Sequence, residues 1–68
     1  MERVEFRIKQ ENVKWEDTPV YVVRAFYSRK DILDFAIDLV KIFQAEVRWN
    51  FEGLSQGHYV NEVESEAA

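Results

Sequence analysis

Residues 20–27 read VYVVRAFY, residues 28–46 read SRKDILDFAIDLVKIFQAE, and residues 47–51 read VRWNF. The first segment is almost entirely β-branched or aromatic, which favours a β-strand. The second contains no glycine or proline, and its opening Ser28 is followed three residues later by Asp31, a spacing typical of a capped helix start. The third alternates apolar and polar side chains, which is the period of a half-buried strand. This stretch therefore predicts a strand, a helix and a further strand, in that order.

The N-terminal segment adds another strand to this arrangement. Residues 2–9 alternate apolar and polar side chains in the same way, with Val4, Phe6 and Ile8 predicted to face the interior. We expect these side chains to meet the apolar positions of the strand that follows the helix, which are Val47, Trp49 and Phe51.

Turn residues set the remaining boundaries. Residues 10–19 predict a connection, residues 53–57 a loop between two glycines, and residues 58–63 a short fourth strand. The predicted fold class is α+β: a two-layer ββαβ(β) domain with one helix packed on a small three- to four-stranded, mainly antiparallel sheet. We assign residues 1–63 to this single domain. Residues 64–68 are predicted to be a disordered acidic tail, because they contain no apolar side chain larger than alanine.

Composition excludes most catalytic and cofactor-dependent functions. The chain has 68 residues, no cysteine, two glycines and one histidine, His58. It therefore lacks the residues for a disulfide, a thiolate zinc site, a thiol nucleophile or a glycine-rich phosphate loop. We predict no enzyme activity, no catalytic residues and no cofactor. No apolar run is long enough to cross a bilayer, so we expect no membrane association and a cytoplasmic location.

Three aspartates follow one side of the predicted helix: Asp31, Asp34 and Asp38. Such carboxylates could hold a hard cation, but cation sites usually take ligands from a loop that also supplies carbonyl oxygens. We therefore interpret this side as a solvated polar face and predict no metal site. His58 has no partner at a catalytic spacing, and we interpret it as a surface or loop histidine.

Nucleic acid is not an expected partner. The net charge is −4, and Glu62, Glu64 and Glu66 supply three of those charges, so residues 1–61 carry −1. A nucleic-acid surface needs a strong basic patch, and this charge balance does not provide one. The same small charge weakens the opposite idea, in which carboxylates imitate phosphates to block a basic site.

The faces of the second strand follow from one assumption about Arg24. An unpaired buried guanidinium is costly, so we place Arg24 on the uncovered side of the sheet. This assignment turns Val20, Val22 and Phe26 outward with it. The alternate residues then face the helix: Tyr21, Val23, Ala25 and Tyr27.

The helix has a wider apolar arc than one sheet needs. Its predicted inner face consists of Ile32, Ala36, Leu39, Val40 and Phe43. Phe35 and Ile42 form one flank and Leu33 and Ile37 the other, so the arc spans roughly 220°, where little more than 100° is needed. One flank could be covered by Trp15 or by the segment around Leu54 and Tyr59. Covering both flanks within 68 residues is difficult, which favours self-association.

We therefore expect a small non-catalytic protein–protein interaction module, which binds itself as a homodimer and an unidentified protein. The candidate interaction surface comprises both helix flanks and the outward side of the second strand: Leu33, Phe35, Ile37, Ile42, Val20, Val22, Arg24 and Phe26. The alternative is an acidic inhibitor, such as a mobile element could carry, that occupies a basic or nucleic-acid-binding site on a target protein.

Overall fold

The computed structural model describes residues 1–61 and confirms the predicted α+β class. In chain order the elements are β1 (Glu2–Ile8), a 3-10 turn (Trp15–Asp17), β2 (Val22–Phe26), α1 (Arg29–Phe43), β3 (Val47–Phe51) and β4 (His58–Val60). The predicted fourth strand therefore exists within residues 58–60. Its predicted end at residue 63 and the predicted tail of residues 64–68 lie outside the described residues.

The four strands form one antiparallel sheet in the order β2-β1-β3-β4. Because β1 lies between β2 and β3, α1 carries the chain across β1 on one face of the sheet. The predicted meeting of the first and third strands is confirmed by the register of β1 and β3, in which the opposed pairs are Val4–Phe51, Phe6–Trp49 and Ile8–Val47.

The predicted facing of the second strand is wrong. In the sheet, Val22 lies opposite Phe6 and Arg24 lies opposite Val4, so the even-numbered residues of β2 face α1. Phe26 is accordingly buried in the core instead of lying on an open face. The assumption failed because Arg24 does not bury its charge: the side chain is exposed, and its guanidinium lies over aromatic rings at the margin of the core.

Helix α1 begins as predicted and ends earlier. The Ser28 hydroxyl accepts a 3.3 Å hydrogen bond from the Asp31 backbone N–H, which satisfies one of the free donors of the first turn. At the other end Gln44 adopts a left-handed conformation with φ of 54°, and this stops the helix at Phe43 instead of residue 46. Phe43 contacts Tyr21 and stays 41% exposed, so the expectation that it is buried is also wrong.

The Leu33–Ile37 flank of α1 is covered by the sheet, and the other flank is covered only at Phe35, since Ile42 is 70% exposed. Phe35 packs edge-on against Phe6, with ring centroids 4.9 Å apart. Its ring centroid also lies 5.7 Å from that of Phe26. Leu33 and Ile37 are half-buried against the core on the other flank. A sheet of four strands extends beyond both sides of a single helix, whose diameter is about 10 Å. The buried core consists of Val4, Phe6, Phe26, Ile32, Ala36, Leu39, Val40, Val47, Trp49 and Val60.

The sheet face opposite α1 is partly covered by two connections. The Arg7 guanidinium donates to the Thr18 carbonyl at 3.2 Å, which ties the β1–β2 connection to this face. Asn50 is buried there and donates to the Leu54 carbonyl at 3.1 Å, which ties down the β3–β4 loop. Trp15 packs on Tyr59, with the ring centroids 5.5 Å apart. Tyr59 alternates with the core residues of β4, so Trp15 lies on this side and covers no helix flank.

Candidate interaction surface

The predicted interaction surface divides into buried and exposed residues. Phe26 is buried, and four other members are half-buried against the core: Val22, Leu33, Phe35 and Ile37. Val20, Arg24 and Ile42 are exposed, Ile42 to 70%. Half-buried side chains that complete the core have little area left for a partner. Three of the predicted residues therefore stay available, and they lie along the β2 side of the domain.

Val20 and Ile42 are each next in sequence to one member of an exposed aromatic pair, Tyr21 and Phe43, and both members were predicted to face the interior. The rings of Tyr21 and Phe43 meet edge to face, with centroids 5.2 Å apart and an interplanar angle of 76°. Tyr21 is 56% exposed and follows Val20, while Phe43 follows Ile42 at the end of α1. We call Val20, Tyr21, Ile42 and Phe43 the edge cluster. It connects the entry of β2 with the last turn of the helix.

No sequence signal marks the two residues that were missed. Phe43 is the last residue of α1, and the helix ends there at a left-handed Gln44, where helices more often use glycine. The sequence of β2 does not show which of its faces is buried, because large apolar side chains occupy both the odd and the even positions.

The edge cluster adjoins a strand edge. Within residues 1–61, β2 has one neighbouring strand, β1, so its other edge carries backbone groups that pair with no described strand. Such an edge can accept a further strand by main-chain hydrogen bonding. Arg24 stands in the middle of β2, with Cζ 4.8 Å from the Phe35 ring centroid. Its charge restricts which registers a new strand can take, because like charges opposite each other are destabilising.

The acidic side of α1 is partly neutralised. Asp34 accepts a 3.0 Å hydrogen bond from the Lys30 ammonium, and this bond, with the Asp34 charge, raises the pKa of Lys30. Asp31 and Asp38 are exposed on the same helix. Among residues 1–61, no three acidic or histidine side chains are grouped so that they could hold a metal ion.

His58 is the first residue of β4, as the predicted strand over residues 58–63 has it. Its ring stacks on the indole of buried Trp49, with centroids 4.3 Å apart and planes 22° apart. The histidine is half-buried by this contact. Its environment is that of a packing residue beside the core.

A groove of about 620 Å³ lies on the sheet face opposite α1. Trp15 and Tyr59 contribute aromatic walls, and Lys9 and Lys14 contribute ammonium groups. Neither aromatic residue was predicted to lie on this face. The groove depends on the β1–β2 connection crossing the sheet, which is a long-range contact that periodicity does not encode.

In comparisons with known proteins, no family model, curated protein or solved structure matches the chain. Within residues 1–61, α1 is too short and too polar to cross a bilayer.

Proposed function

We propose that the protein is a small non-catalytic protein–protein interaction module that forms a homodimer through the edge cluster and the outer edge of β2. The observation that carries the proposal is the exposed Tyr21–Phe43 pair beside that edge. Grouped large apolar side chains are uncommon on soluble monomers and mark interaction sites. A domain of this size also has a small core, which a partner surface would enlarge.

A second copy of the chain fits this surface. Two β2 strands can pair in antiparallel fashion about a two-fold axis, so both copies use the same strand edge and the same neighbouring residues. A register that opposes Arg24 to its own copy would place two guanidinium groups side by side. A register that opposes Val23 to its copy avoids this and places Arg24 beside Val22 of the second copy. In this register Tyr21 lies opposite Ala25 of the second copy, so the two edge clusters lie at opposite ends of the paired strands and each contacts the C-terminal half of the other β2.

Ile42→Glu tests the dimer with little effect on the fold. Ile42 is 70% exposed, so a charge there should leave the core intact while it breaks an apolar contact between copies. Leu54→Glu is the matched control, since Leu54 is similarly exposed but lies in the β3–β4 loop. Light scattering after size exclusion measures the mass of each variant.

The expected masses are twice 8.1 kDa for the wild type and for Leu54→Glu, and 8.1 kDa for Ile42→Glu, at concentrations of about 10 to 100 μM. A wild-type mass of 8.1 kDa throughout that range contradicts the homodimer. Equal masses for Ile42→Glu and the wild type would place any interface elsewhere.

An acidic inhibitor of a basic or nucleic-acid-binding site has weaker support. Three carboxylates that could imitate phosphates are engaged by cations of the same chain: Glu52 by Arg3, Glu5 by Arg7 and Asp34 by Lys30. The net charge of −1 on residues 1–61 also makes nucleic acid itself an unfavoured partner. We propose a cytoplasmic location for the module, in keeping with its cysteine-free composition.

A further inference from the structure

The groove opposite α1 combines apolar walls with positive charge. The rings of Trp15 and Tyr59 lie 5.5 Å apart at 59° to each other, and Tyr59 is 55% exposed. Lys9 and Lys14 line the same groove. Its occupant should therefore offer both carboxylates and an apolar side chain.

The charges of the two lysines are not neutralised by a described carboxylate. The Lys9 ammonium donates to the carbonyl oxygens of Gln10 at 3.0 Å and Val13 at 2.7 Å, which orient it without cancelling its charge. The ion pairs found among residues 1–61 involve neither Lys9 nor Lys14; they are Arg3–Glu52, Arg7–Glu5 and Lys30–Asp34. One acidic residue, Glu16, lines the groove. The charged side chains that line the groove, Lys9, Lys14 and Glu16, therefore sum to +1 in a domain with net negative charge.

The chain leaves β4 close to this groove. Val60 pairs with Val47, and Val47 pairs with Ile8, so Val60 lies two strand spacings, about 10 Å, from the residue before Lys9. The next residues after Asn61 read Glu-Val-Glu-Ser-Glu and supply three carboxylates and one apolar side chain. An extended segment advances about 3.3 Å per residue, so three residues span the distance.

We propose that this acidic segment, residues 62–66, which lies outside the described residues, binds the groove of its own chain and pairs its carboxylates with Lys9 and Lys14, in place of the disordered tail predicted from the sequence for residues 64–68. Single exposed ion pairs are weak, but a short tether gives a millimolar effective concentration, which lets weak contacts be occupied. An acidic peptide from a partner would have to displace this segment. The proposal does not depend on the homodimer, because the groove and the edge cluster share no residue.

The two tryptophans make the groove observable in the full-length chain. Trp15 lines the groove and is half-buried, whereas Trp49 is fully buried in the core. The indole N–H resonances and the iodide quenching of fluorescence then report on the groove through Trp15, with Trp49 as an internal reference. Iodide is an anion, so bound carboxylates should keep it from the lysines.

The test compares the wild type with E62Q/E64Q/E66Q at low ionic strength. We expect the variant to shift the Trp15 indole resonance and to raise iodide quenching about twofold, with the Trp49 resonance unchanged. The control D31N/D34N/D38N removes the same number of charges from α1 and should leave the Trp15 resonance in place. At about 0.5 M salt the wild type should resemble the glutamine variant, since the Debye length becomes a few ångströms.

Lys14→Gln gives an independent check, because it removes groove charge without altering the segment. It should reproduce part of the Trp15 shift. Identical Trp15 resonances and quenching in the wild type and E62Q/E64Q/E66Q at low salt would overturn the proposal. An equal Trp15 response to D31N/D34N/D38N would overturn it too, since the effect would then reflect total charge. Neither result would bear on the mass of the protein, so the homodimer is tested separately.

Discussion

The guanidinium of Arg24 lies over the ring of Phe35, with Cζ 4.8 Å from the ring centroid and 5.5 Å from that of Phe26. The aliphatic stem of Arg24 thereby covers the margin of the core, while its charge stays in water. A charged residue at this place also discourages uncontrolled pairing along the exposed edge of β2. Arg24 therefore contributes to both packing and specificity at the same strand edge.

Replacing Arg24 by alanine should lower the free energy of unfolding by about 1 kcal/mol, from lost cation–π contact and lost stem packing. In a Phe35→Leu background the same substitution should cost less, because the ring is already absent. Urea unfolding of the four proteins in this double-mutant cycle measures the coupling. Equal losses in both backgrounds would show that Arg24 acts through something other than Phe35.

The contrast between β2 and its neighbours shows what alternation in a sequence can determine. In β1 and β3 one face is apolar and the other is polar, so parity determines which side chains face α1, as with Phe6 and Trp49. In β2 both parities are apolar, and one arginine was used to choose between them. That choice was wrong because an arginine on the core side can extend its charge past neighbouring rings to solvent.

The candidate surfaces were predictable only in part for a related reason. Ile42 and Val20 were expected to be exposed, and they are. Tyr21 joins them as an exposed residue packed on Phe43 at the end of the helix, and the left-handed Gln44 that ends the helix is not a residue type that predicts such an end. The groove depends on a connection folding back across the sheet, so local periodicity could not reveal it.

Asn50 is the polar centre of the face opposite α1. It is 2% exposed, its side-chain oxygen accepts from Arg7 at 2.8 Å, and its amide nitrogen donates to the Leu54 carbonyl at 3.1 Å. Asn50→Ala leaves these groups without their partner and should cost about 1 to 3 kcal/mol. Asn61→Ala, at an exposed position, should change stability by less than about 0.5 kcal/mol. Thermal or urea unfolding compares the two, and similar values would show that water replaces Asn50 without cost.

Substitution of Phe43 should affect both the stability of the fold and self-association, and the two effects can be measured separately. Because it is 41% exposed, Phe43→Ala should lower the free energy of unfolding by about 1 to 2 kcal/mol, less than the roughly 3 to 5 kcal/mol expected for fully buried Phe6→Ala. It should also reduce the dimer fraction, since it removes half of the Tyr21–Phe43 pair. Denaturant unfolding at fixed protein concentration, together with light scattering, measures both effects. A loss as large as that of Phe6→Ala would mean that Phe43 is buried in solution.

Gly57 allows a close approach of the Arg48 side chain. A Cβ at position 57 would lie 2.7 Å from Cζ of Arg48 and nearer still to Nε. These atoms form the end of a flexible side chain, so Arg48 can move aside, but it would then lose the 2.7 Å hydrogen bond from Nη2 to the Ser55 carbonyl and its place over the Tyr59 ring. Losing these contacts should cost about 1 kcal/mol, which we expect for Gly57→Ala.

The matched control is Gly53→Ala, in which the substitution is unfavourable for a different reason. Gly53 has φ of 87° and open space where a Cβ would lie, so its substitution strains the backbone without a side-chain clash. Arg48→Ala should therefore rescue Gly57→Ala and leave the cost of Gly53→Ala unchanged, as measured by urea unfolding of the single and double variants. Lack of rescue at position 57 would contradict the clash with Arg48.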